Sequence, residues 1–243
     1  MNKLNPIDLI LWHDDILLIV NKPAGLLTLV DGYDPKLPFL VGLLKSVFNP
    51  LWVVHRLDRE TSGVMVFART PEAHRALNTQ FERRQAFKTY HALVTGSPTW
   101  IEKLVDLPLR PDGDRKHRTV VDPHRGKPSA TNLRVLERIG RFTLVEAIPR
   151  TGRTHQIRVH LGAQGHPVVV DPLYGDGRAI MLSELNPAYK GRKEYEAPLL
   201  GRLGLHAHSL TLTHPMSGEE LCFDAPYPQD LVTTLRYLHK YST

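Results

Sequence analysis

The chain has 243 residues, 42% of them hydrophobic and 23% charged, a size and balance that suit one globular core and exclude a disordered or fibrous chain. Lys and Arg number 31 against 25 Asp and Glu, a net charge of +6, which favours a polyanionic partner and equally fits a merely solubilising surface. The single cysteine, Cys222, excludes an internal disulfide, and no segment reaches the roughly 20 apolar residues of a membrane span.

Met1-Asn2-Lys3-Leu4-Asn5-Pro6 lacks the apolar core of a secretory signal, so a cytoplasmic protein is expected. Ile16 to Val20 is a continuous apolar run closed by Asn21-Lys22-Pro23-Ala24-Gly25, which predicts a buried strand entering a turn. Leu51 to Val54 and Val64 to Ala68 have the same character and flank the polar segment His55 to Gly63, placing it on a loop between buried strands. Ala73, Leu77 and Phe81 recur every fourth residue behind Thr70 and Pro71, which predicts a capped helix from Pro71 to Arg84.

Lys88 to Val94 returns to a strand, with Tyr90, Ala92 and Val94 on one side and Tyr90 largely buried. From Asp106 to Pro128, Pro, Gly, Asp and basic residues predict exposed, partly mobile connections with a solvated cluster Arg115-Lys116-His117-Arg118. Thr131 to Ile139 and Arg141 to Ile148 form two strands meeting near Gly140; a helix follows, capped by Thr154, held by Ile157 and Leu161 and ended by Gly165. Gly175 to Gly204 reads as an extended loop insertion. Leu205 to Thr213 and Glu219 to Phe223 form a hairpin that buries Cys222, before a final helix with Leu231, Leu235 and Leu238 on one face. Strands outnumber helices without strict alternation, predicting an α+β domain with a mixed, largely antiparallel sheet.

Three segments hold candidate chemistry. In His55-Arg56-Leu57-Asp58-Arg59-Glu60-Thr61-Ser62-Gly63, flanking arginines favour the ionised Asp58 carboxylate, a nucleophile or base; the same run also fits a charged turn in which Asp58 caps an amide. Arg150 to His160 gathers cations at a helix start, with His155 and Arg158 on one face; a solvated basic face is the plain alternative. Tyr90 fits a core tyrosine as well as a catalytic one. Leu205-His206-Ala207-His208, with His155 and His160, raises a metal-dependent hydrolase, but at spacings unlike a zinc signature.

Taken together, Asn21 to Gly25, His55 to Gly63, Lys88-Thr89-Tyr90, Gly152 to His160, Gly165-His166-Pro167 with Asp171, Leu205-His206-Ala207 and Thr213-His214-Pro215 resemble, in that order, the RluA family of RNA pseudouridine synthases. The resemblance implies the pseudouridine synthase catalytic fold and an isomerase that converts a uridine of structured tRNA or rRNA to pseudouridine without cofactor or metal. It aligns Asp58 with the catalytic aspartate, Tyr90 with the active-site tyrosine and Arg158 with the arginine that pairs with the aspartate. Arg56 is placed to help extrude the base, and Arg59, Arg115, Lys116, Arg118, Lys127, Lys190, Arg192 and Lys193 are candidate phosphate contacts. Some family members carry an N-terminal S4-type RNA-binding domain. Here residues 1–243 are expected to be one catalytic domain without it, a cytoplasmic monomer recognising RNA through its own loops. A noncatalytic RNA-binding protein that has kept the fold is the alternative.

Overall fold

The structure, a computed structural model, describes residues 4–241. In chain order the elements are β1 (Ile10–His13), β2 (Leu17–Lys22), α1 (Leu40–Leu44), β3 (Trp52–Val53), β4 (Ser62–Ala68), α2 (Pro71–Glu82) and β5 (Phe87–Thr95). There follow β6 (Glu102–Asp106), β7 (Leu109–Arg110), β8 (Val120–Val121), β9 (Ala130–Ile139), β10 (Phe142–Pro149), α3 (Gln156–Ala163), α4 (Leu182–Leu185), β11 (Leu205–Thr213), β12 (Glu220–Asp224) and α5 (Gln229–Tyr241). The chain forms two compact units, one of Met1–Thr89 with His206–Pro226, the other of Tyr90–Leu205 with Tyr227–Thr243.

In the first unit β2 lies antiparallel between β1 and β4, in register from Leu17↔Ala68 to Lys22↔Gly63. The other edge of β4 carries β3 antiparallel at Phe67 and Ala68, and β11 parallel at Ser62 and Gly63. Strand β12 pairs antiparallel with β11. Every residue of β4 is buried, which is why that strand reads as an unbroken apolar run rather than an alternation. Helix α2 packs on β4, with the Thr70 hydroxyl accepting from the Ala73 amide as expected of its cap.

In the second unit β5, β10, β9 and β6 pair antiparallel in that order, and β7 and β8 form a small separate ladder. Its core joins Leu93 and Phe142 to Val169, Ile180 and Leu200, and to Leu231, Leu235 and Leu238 from α5. The mixed, mostly antiparallel pairing bears out the α+β expectation.

Several local expectations are corrected. Helix α3 begins at Gln156 with His155, in a left-handed conformation (φ 54°), at its cap position and without a side-chain cap bond. Thr154 does not fill that role. Instead the Gln156 side-chain oxygen accepts from the Arg153 amide (3.1 Å) and the Thr151 hydroxyl (2.7 Å). All residues from Gln156 to Leu161 are buried, so the helix presents no solvated basic side. The Asp106 to Pro128 stretch contains β7 and β8, with Leu109 fully buried. The Gly175 to Gly204 stretch adds Ile180, Leu185 and Leu200 to the core and contains α4. Cys222 is exposed, because β12 turns Leu221 and Phe223, not Cys222, toward cover.

Candidate active site

Asp58 lies on the segment between β3 and β4, which is fastened at His55, Leu57, Asp58, Arg59 and Thr61. Lys22, at the end of β2, is completely buried and donates its ammonium to three carbonyls, Pro23 (2.9 Å), Leu26 (2.7 Å) and Arg59 (3.1 Å). The Gly25 amide donates to the same Arg59 carbonyl at 2.9 Å, while the Arg59 side chain returns a bond to the Gly25 carbonyl at 3.2 Å. The Thr28 hydroxyl donates to the Leu57 carbonyl (2.9 Å), and Leu57 itself is buried. The Thr61 amide closes a turn onto the Asp58 carbonyl at 3.1 Å. The turn after β2 thus acts as the mould in which the Asp58 loop is cast.

Both ends of the segment are tied to β4. Across from Gly63 (φ +121°), a Cβ would stand 2.1 Å from the Ala207 carbonyl oxygen, so only glycine allows β11 to come alongside. Ser62 and His206 are fully buried; the His206 Nε2–H donates to the Ala225 carbonyl (3.1 Å), so Nδ1 accepts from the Ser62 hydroxyl (2.9 Å). Both ring nitrogens are therefore engaged, and among the described residues no group of three or more His, Cys, Asp or Glu is gathered for a metal.

His55 fastens the other end. Its Nε2 accepts from the Val66 amide at 3.1 Å and its ring stacks on Phe81 at 4.9 Å between centroids. Burial, with the nearby charge of Lys88 adding to it, pushes the imidazole pKa down to about 3. It stays neutral, as an acceptor must. In the unfolded chain a histidine titrates near about 6.5, so its folded pKa is the lower one. The stability it contributes is complete above about pH 6.5 and is lost as pH falls toward 3, by up to about 1.4 kcal/mol per pH unit. Denaturant titrations of His55→Gln, whose amide oxygen can replace the acceptor, should show a variant about 1 kcal/mol less stable than the parent at pH 8. By pH 5 the gap should close or reverse. A gap constant across that range would show that His55 is freely protonated in the folded protein.

In the second unit Tyr90, on β5 opposite Ala147 of β10, is only 8% exposed, which meets the expectation for its face. Arg158 is buried on α3 and holds a carboxylate the sequence did not assign to it. Its Nε and Nη2 donate to Asp171 at 2.7 and 2.8 Å. The Tyr174 ring covers the guanidinium at 5.1 Å, and the Tyr174 hydroxyl bonds His155 Nδ1 at 2.9 Å. His155 and Arg158 thus meet on one tyrosine, but His155 sits at the left-handed cap position outside α3 and does not share a helix face with Arg158 as their spacing predicted.

Among the candidate RNA contacts, Arg56, Arg59, Arg115, Lys116, Lys127, Lys190, Arg192 and Lys193 are exposed. Arg118 is the exception. It is half-buried, paired with Asp114 at 2.7 Å, and donates to the Leu173 carbonyl at 2.8 Å, so it braces its loop rather than standing in solvent. The sequence reading missed the anchoring roles of Lys22 and Thr28 and the part of Tyr174. Lys22 alone left a trace, as a cation in a turn directly after a buried strand.

Set beside known proteins, an α+β fold with this backbone-fastened aspartate loop falls in one enzyme class. The family model described as RNA pseudouridylate synthase matches residues 16–163. Ribosomal large subunit pseudouridine synthase D of Neisseria meningitidis serogroup B is 36% identical over 239 residues, covering 94% of this chain and 60% of that protein. The dual-specificity RNA pseudouridine synthase RluA of Escherichia coli is 38% identical over 218 residues, covering 89% of this chain and 92% of that protein. The solved structure of human RNA pseudouridylate synthase domain containing 4 superposes with a TM-score of 0.75 at 27% identity, covering 96% of this chain and 95% of that one. The chain therefore belongs to the RNA pseudouridylate synthase family, in its RluA-type branch. It spans about 60% of the length of the Neisseria relatives.

Proposed function

We propose that this chain isomerises uridine to pseudouridine in structured RNA, with Asp58 as the catalytic carboxylate, Tyr90 as the residue that stacks on the uracil, and Arg158 as the cation that serves Asp58. The observation that carries the proposal is the immobilised loop. A carboxylate on a loop pinned by Lys22, Thr28, Gly25 and His55 is preorganised for one geometry, and the chain belongs to a family named for this reaction.

The reaction breaks the bond from ribose C1′ to uracil N1, turns the base and joins C1′ to C5; the C5 proton then leaves and N1 gains one. Atoms and electrons balance without a cofactor. An anionic oxygen beside C1′ or the base is the group the chemistry requires, and Tyr90 offers a flat face for uracil and a hydroxyl for the departing proton. Exposed Arg56, next to Asp58, takes the space of the extruded nucleotide or its phosphate. Exposed Arg59, Arg115, Lys116, Lys127, Lys190, Arg192 and Lys193 supply salt-sensitive phosphate contacts, with Arg118 setting the loop that bears two of them.

The substrates proposed are ribosomal RNA, since relatives are named for the large ribosomal subunit, and transfer RNA, which the motif resemblance implies. The chain is proposed to act as one catalytic domain and as a monomer in the cytoplasm. Pseudouridine mapping of total RNA from cells with and without the protein tests the assignment. At least one uridine should lose its modification in the deletion strain and regain it on complementation with the parent but not with Asp58→Asn. Identical maps would refute the activity.

A further inference from the structure

The fastening of Asp58 has a counterpart around Arg158. A buried ion pair adds little net stability, because desolvation of both charges offsets their attraction; what a bidentate pair does supply is a fixed plane. Arg158 (side chain 7% exposed) and Asp171 (0%) form such a pair. Asp171 is itself aimed, since its Oδ1 accepts from the amides of Leu173 (2.9 Å) and Tyr174 (3.1 Å). Burial alone would raise the Asp171 pKa, but the Arg158 bonds and these two amides outweigh it and hold the carboxyl below its usual range. The same turn brings the Tyr174 ring over the guanidinium at 5.1 Å. The Tyr174 hydroxyl is pinned in turn by His155 Nδ1 (2.9 Å) and the Thr119 amide (3.0 Å).

Edge and face of the guanidinium are thus both constrained. Asp171 takes the side-on fork, Nε with Nη2. A lysine could not be held this way, since an ammonium is a point charge without a plane.

We propose that Asp171 and Tyr174 are positioning residues for pseudouridine formation, fixing the plane of the Arg158 guanidinium. The inference rests on the assignment of Arg158 as the cation serving Asp58. Asp171 acts only through Arg158, so its loss should weaken turnover and not RNA affinity.

The test is release of tritium from unmodified tRNA and large-subunit rRNA transcripts labelled with [5-³H]uridine, measured for the full chain with thermal unfolding as a check of folding. Asp171→Asn should lower kcat roughly 10- to 100-fold, as misplacement of a catalytic group does, with KM within about threefold of the parent. Tyr174→Leu, which leaves the ion pair intact, should lower kcat about tenfold by freeing the guanidinium face. In an Arg158→Lys background, where the fork is already gone, Asp171→Asn should cost less than about threefold more. A folded Asp171→Asn or Tyr174→Leu with parental kcat overturns the inference, as does a loss that multiplies in full in the Arg158→Lys background. Asp58→Asn, run alongside, separates the two readings: if it is inactive the function stands whatever Asp171 does, and if it turns over normally the function itself is wrong.

Discussion

Asp58→Asn is expected to reduce pseudouridine formation by about 10³-fold or more, the loss that follows removal of a reacting group from a preorganised site. The substitution keeps the volume of the side chain and removes its charge and basicity. It also leaves the loop standing, because the loop's bonds run through the backbone. The Asp58 carbonyl still accepts from Thr61, and the neighbouring Leu57 and Arg59 carbonyls keep Thr28, Gly25 and Lys22. Affinity for RNA should therefore stay within about threefold of the parent, if the exposed cations carry most of it through the phosphate contacts proposed for them. Single-turnover tritium release and filter binding on the same transcripts separate the two quantities. Parental turnover would remove Asp58 from the chemistry, and a collapse of binding would make it a binding residue.

Lys22→Met is expected to be the most damaging single change outside the reacting groups. Methionine matches the aliphatic stem but takes a donor from the Pro23, Leu26 and Arg59 carbonyls, leaving Arg59 only its bond from the Gly25 amide and the buried Leu26 carbonyl without its ammonium partner. The lost charged bonds are offset in part by the desolvation that a buried ammonium no longer suffers. Because the carbonyls stay where they are, the net cost should still be about 3 kcal/mol or more. For a chain of this size that lowers the unfolding midpoint by about 6–12 °C. Turnover should fall further than stability, by roughly 100-fold at a temperature where the variant is folded, because the Arg59 carbonyl anchors the loop one residue past Asp58. Calorimetry and tritium release on one preparation check both. A stable variant with parental kcat would show that the turn after β2 shapes nothing in the site.

Much of the local structure was legible because its causes are local. Thr70 and Pro71 start α2 through a hydroxyl and a preset φ that need nothing beyond the helix. Leu231, Leu235 and Leu238 fall on one face of α5 whatever they face. The alternation along β5 placed Tyr90 with Ala92 and Val94, and all three are buried. The errors came where neighbours decide. Thr154 is not the cap of α3; His155 holds the cap position, and the Gln156 side chain reaches back to the Arg153 amide. Ile180, Leu185 and Leu200 showed no period, yet they line the core against α5.

By itself, then, the sequence determined the family motifs, the order of the principal strands and helices, and a loop aspartate flanked by arginines, because periodicity, caps and turn residues act over a few positions. Only the tertiary structure decided that a lysine 36 residues before Asp58 would be buried to hold the loop. It alone joined Arg158 to Asp171 beneath Tyr174, and left Cys222 in solvent. Those outcomes depend on which charges and carbonyls come to share one water-free space. Charges 13 residues apart, as Arg158 and Asp171 are, carry no mark of that in their spacing.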